Sequence, residues 1–152
     1  MLRPQLNDRL KTAMLAKDAR MVSTVRLILA ALKDRDIAAR SRGVMDGIGD
    51  DEILSMLQSM IKQRRESIAL YEQGGRLELA QQEQDEIDII HTFLPKQMSE
   101  AETLDAVRAV IAELGAGGIK DMGRVMAALK ARYAGHMDFT KASATTKKEL
   151  GG

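Results

Sequence analysis

From Leu6 to Leu129 the apolar residues recur at steps of three and four, and only Pro4 and Pro95 interrupt 152 residues with proline. That spacing places side chains along one face of an α-helix. Leu6, Leu10 and Ala13/Met14 form a first stripe, after Pro4. Val22, Val25, Ile28/Leu29 and Leu32 form a second, with Asp18 placed to cap it. A third runs through Ile53/Leu54, Leu57, Met60/Ile61, Arg64, Ile68 and Tyr71, opened by Asp50 and Asp51 and stopped by Gly74-Gly75. An acidic fourth helix is expected from Arg76 to Phe93, with Leu77, Ala80, Ile87, Ile90 and Leu94 inward. Aromatic residues make up only 3% of the chain, so the core must be Leu, Ile, Val, Ala and ten Met. Such a core suits packed helices better than strands. Nothing reads as a strand, and the expected fold class is all-α.

The sequence LPKQMSEAE, residues 94–102, marks the main boundary. Pro95 ends a helix, and Ser99 with Glu102 has the S-x-x-E spacing of a capping box. The chain is therefore expected to form a bundle of long helices over 1–96 and a three-helix unit over 97–152. In that unit Leu104, Val107, Ile111 and Leu114 are the expected inward positions, with Gly115 closing the helix. Asp121 is expected to cap a helix carrying Met122, Val125/Met126 and Leu129. A turn at residues 133–139 leads to a last helix opened by Asp138, with Ala142, Thr146 and Leu150 inward.

No cysteine is present, which excludes disulfides, thiolate metal sites and cysteine nucleophiles. No apolar run approaches a membrane span, and Met1–Gln5 carries no signal-peptide pattern. A soluble, cytoplasmic protein is the expectation. The net charge of +1 conceals blocks. Residues 1–42 carry ten Lys/Arg against four Asp/Glu, and residues 43–96 carry five against eleven. Residues 97–117 carry one against four, and residues 118–152 carry seven against three. Basic ends hint at an anionic partner, although solvated helix faces produce the same pattern.

Gly118-Ile-Lys-Asp-Met-Gly-Arg-Val125 nearly spells the phosphate-binding loop G-x-x-x-x-G-K-[ST]. That loop needs a strand before it and a hydroxyl for magnesium, and here a helix precedes it and Val125 stands in the hydroxyl position. Gly115, Gly117 and Gly118 read instead as a helix–helix turn, with Gly123 permitting close helix approach. A second use survives: Lys120 and Arg124 flank a helix start that can attract phosphate. Asp88 and His91, with Asp85 nearby, lack the second cluster a metal site needs, so no metal, cofactor or catalytic residue is expected. Arg64, on an apolar stripe, reads as a covering side chain or an internal salt-bridge partner rather than an anion contact.

The segment MIKQRRESIALYEQGGRLELAQQEQDEIDIIHTFLPKQMSEAE followed by GIKDMGRVMAALK resembles the GatB/YqeY family. Family patterns K-Q-R-x-S-I, G-R-x-D-L, L-P-x-Q-[LM]-[ST] and K-D-M-G-K-V-M recur in this order, with Glu78 in place of Asp and Arg124 in place of Lys. The family's G-x-A-D-G turn becomes Gly135-His-Met-Asp-Phe139. The resemblance implies a two-part helical fold related to the C-terminal region of the amidotransferase B subunit, whose tail touches tRNA. It also implies a label of carbon–nitrogen ligase with glutamine as amido-N-donor, without the kinase and glutaminase centres that such chemistry needs. The expectation is a non-catalytic module that binds tRNA or accompanies aminoacyl-tRNA or amidotransferase machinery. Lys120, Gly123, Arg124, Lys130 and Lys147 are its candidate RNA contacts. The alternative is a protein-interaction adaptor working through its acidic middle segment and Met-rich faces.

Overall fold

The structure, a computed structural model, describes residues 1–151. It is all-α, with seven α-helices and no strand among the described residues. α1 spans Leu2–Leu15, α2 Ala19–Ala39, α3 Asp50–Gln73 and α4 Leu77–His91. After the boundary come α5 (Glu100–Leu114), α6 (Met122–Tyr133) and α7 (Phe139–Glu149). None of the described helices is long and apolar enough to cross a membrane. The chain divides into two compact units, Met1–Leu94 and Pro95 onward.

In the first unit α3 packs chiefly on α4, and α1 on α2, around one core. Leu6, Val25, Ile28, Ile53, Leu57 and Ile90 are fully enclosed there. Asp18 caps α2 by accepting from the Met21 N–H at 3.1 Å. Arg64, on the buried stripe of α3, meets Glu86 at 2.8 Å and Glu83 at 3.9 Å. It is the internal salt-bridge partner that its position implies. Two details depart from the sequence reading of α4: Leu77 is 66% exposed, while Phe93 is buried just past the helix end. Leu77 opens the helix beyond the reach of the core, whereas the turn after His91 folds Phe93 back onto it.

A long-range clamp fixes the loop between α2 and α3. Arg3 donates to both Asp36 oxygens at 2.8 and 2.6 Å and to the Ile48 carbonyl at 3.0 Å. The Ile48 N–H in turn donates to Asp36 at 2.9 Å. Gly47 is required under this clamp. Its φ is +92°, and a Cβ there would lie 2.5 Å from the Arg3 guanidinium.

The second unit opens as its capping box dictates. Ser99 Oγ accepts from the Glu102 N–H, and Glu102 accepts from the Ser99 N–H, both at 3.1 Å. α5, α6 and α7 all pack on one another. The buried face of α5 is rotated from the expected stripe: Thr103, Ala106, Val107 and Val110 are enclosed, while Leu104, Ile111 and Leu114 are only half-buried. Smaller residues occupy the contact line and larger ones its margins. Asp138 caps α7 by accepting from the Thr140 and Lys141 N–H groups, and Ala142, Thr146 and Leu150 are buried as expected.

Candidate nucleic-acid interface

The turn between α5 and α6 builds one end of the candidate surface. α5 closes at Gly115, whose left-handed φ of +62° frees the chain to reverse while the Ala116 N–H donates back to Ile111. The backbone continues through Gly117 and Gly118 into a single 3-10 turn, Ile119–Asp121, and then into α6. Asp121 does not cap α6 with its side chain, contrary to the sequence expectation. Its Oδ2 instead accepts from the Gly117 N–H at 2.9 Å, and its Oδ1 accepts from Arg124 Nη2 at 2.9 Å. The Gly117 hydrogen bond, and then Arg124, hold the Asp121 carboxyl below its usual range. Arg124 reaches the Leu114 carbonyl as well, at 3.5 Å.

Gly123 overturns a second expectation. It does not serve a close helix approach, because a Cβ built there meets nothing within 4 Å. The position is exposed on the first turn of α6, where glycine weakens the helix and returns no packing. Lys120, Gly123 and Arg124 therefore gather at one exposed end of α6. Lys130 lies in the last turn of that helix, on the Gly123 face and about 10 Å farther along it. Lys147 lies in the last turn of α7. Cations in last turns are also what a helix dipole favours, which gives Lys130 and Lys147 a local reason to be where they are. The neighbouring cations Arg132 and Lys141 face carboxylates of α5, namely Glu113 at 2.6 Å and Glu100 at 4.0 Å.

The altered turn at Gly135–Phe139 is tied firmly into the unit. Gln97 donates to the Gly135 carbonyl at 2.6 Å and the Met98 N–H to the His136 carbonyl at 2.8 Å. Met137 is fully buried and Phe139 packs on the same core. These two larger residues supply apolar surface that the short stripe of α7 lacks.

The acidic middle segment is engaged largely inside its own unit. Asp85 faces Arg20 at 3.3 Å, and Glu83 and Glu86 face Arg64. Asp88 accepts from Gln84 at 3.0 Å, and burial lowers the His91 pKa. No group of three side chains among the described residues is arranged to hold a metal ion.

A family model described as Yqey-like protein matches residues 3–150. Among curated proteins, the chain is similar to "Altered inheritance of mitochondria protein 41, mitochondrial" from several yeasts. The Eremothecium gossypii protein is 38% identical over 89 residues, which is 59% of this chain and 46% of that protein. The Lachancea thermotolerans protein is 34% identical over 112 residues, covering 72% of this chain and 57% of the relative. The matched part thus spans about half the length of these relatives. The names of these relatives are mitochondrial, which overturns the cytoplasmic expectation.

Proposed function

The chain belongs to the Yqey-like protein family, which is related to the C-terminal part of the amidotransferase B subunit, and we propose that it is a tRNA-binding module without catalysis of its own. In this reading it accompanies glutamine-dependent amidotransferase or aminoacyl-tRNA machinery. The observation that carries the proposal is Gly123, an exposed helical glycine with open space where its Cβ would stand, set between Lys120 and Arg124. A missing side chain lets a sugar-phosphate backbone approach the helix surface, and the two neighbouring cations neutralise it. Lys130 extends the same face, and Lys147 adds to the charge of the unit.

The test is the double variant Lys120→Glu/Arg124→Glu, titrated against labelled tRNA with helical content checked by circular dichroism. Binding should fall while the helical signal stays unchanged. Unaltered affinity in a folded double variant refutes the assignment of this site.

A further inference from the structure

A different surface, on the first unit, has features that RNA binding does not use. An open groove of about 490 Å³ lies where α1 turns into α2, lined by Met14, Lys17, Ala19, Val22, Ser23 and Arg26. The outward face of α2 continues from it through Ala30 and Ile37, with Leu27 along its margin, and Leu27 and Ile37 are 46% and 50% exposed. Arg26, Lys33 and Arg40 recur at seven-residue steps down one edge of this face. Seven residues are close to two helical turns, so the three charges form a row. None of them, nor Lys17, has an ion-pair partner among the described residues, although Arg40 adds to the positive field at Asp36. Asp34 and Asp36 are the carboxylates of α2 beside this face, and Asp36 is held by Arg3.

Lys17 itself is held in a left-handed conformation, with φ of +56°, the only non-glycine residue so placed among those described. The Asp18 N–H donates to Ala13 and the Lys17 N–H to Met14, a helix ending in which glycine is the unstrained choice. A lysine there keeps a positive charge at the groove against the local backbone preference.

We infer that this groove and the outward face of α2 dock an acidic amphipathic helix of a partner protein. Exposed apolar residues, namely Met14 at the groove and Leu27, Ala30 and Ile37 along α2, beside a row of cations match a helix with an apolar stripe and glutamates or aspartates beside it. The face has no aromatic ring on which a base could stack.

The probe is a fluorescein-labelled helical peptide with leucine at heptad positions a and d and glutamate at e and g, titrated into the full chain. A version with lysine at e and g is the control. Expected are saturable binding of the glutamate peptide alone, hydrogen-exchange protection along the groove and α2, and at least tenfold weaker binding in Arg26→Glu/Lys33→Glu/Arg40→Glu. Lys17→Gly should raise the unfolding midpoint and weaken binding together, which separates docking from folding. Lys120→Glu/Arg124→Glu should bind the peptide normally, so this test stands or falls apart from the tRNA reading. The inference is overturned by equal binding of the lysine peptide, by full affinity in the folded triple variant, or by protection elsewhere. It is also overturned if the peptide fails to bind while the triple substitution abolishes capture by phosphatidylserine vesicles, tRNA affinity or self-association in sedimentation. Those results assign the face to a membrane, an RNA or a second copy.

Discussion

Arg124 and Asp121 face each other at 2.9 Å, so the proposed phosphate contact already has a carboxylate against it. The pair is three residues apart across the start of α6, and Arg124 remains 55% exposed. An incoming phosphate must compete with this carboxylate for the guanidinium.

Asp121→Asn should therefore strengthen binding. The amide keeps an acceptor for the Gly117 N–H while removing the charge opposite Arg124. Removing the competing charge frees the guanidinium, so a several-fold gain in tRNA affinity, on the order of fivefold, is expected by anisotropy. Unchanged or weaker binding would show that Arg124 does not meet the RNA.

Gly123→Ala should separate stability from function. The new methyl meets nothing within 4 Å, and alanine favours the helix by about 0.5 kcal/mol or more. Thermal unfolding should move up while tRNA affinity moves down. A more stable variant that binds normally would mean that nothing approaches this backbone closely.

Arg64→Ala should destabilise the first unit by about 2 kcal/mol, because Glu83 and Glu86 lose their shared cation. Burial, with the charge of Glu86 second, already raises the Glu83 pKa above its usual 4.5. A shift of the denaturation midpoint in urea is the measurement, and a shift within error would show the pair to be solvated.

Acid sensitivity has two windows. The Arg3 hydrogen bonds, helped by the Ile48 N–H, lower the Asp36 pKa below 3.8. The unfolded chain thus takes up the Asp36 proton first, and the stability from this clamp is present above about pH 3.8 and lost as pH falls through the lower folded value. His91 is also lowered, from 6.5, mainly by burial and next by Arg65, so stability declines as pH drops below 6.5. Asp36→Asn should remove the lower-pH loss and His91→Gln the upper one, read from urea midpoints across pH.

Much of this architecture is local in the sequence, and so legible there. Asp18, Ser99 with Glu102, Gly115 and Asp138 each set a helix end through bonds to residues within a few positions. Lys120, Gly123 and Arg124 are likewise neighbours before folding. The Arg3–Asp36 clamp was not legible, since 33 residues separate its partners and no periodicity marks them. Side-chain size misled the reading of α5, where Leu104 and Ile111 look like core and Thr103 and Val110 occupy it. Asp121 misled for another reason: an acidic residue before a helix suits a cap, yet it also sits at i, i+3 spacing from Arg124, and the ion pair together with the Gly117 N–H took its carboxylate.

The most direct test of the account is fluorescence anisotropy of the full chain with labelled tRNA across a salt series, with duplex DNA of equal length as control. The account predicts binding at low salt, a preference for tRNA, and a log-linear loss of affinity with salt whose slope shrinks in Lys120→Glu/Arg124→Glu. No binding at low salt, or equal binding of the duplex DNA, would contradict it.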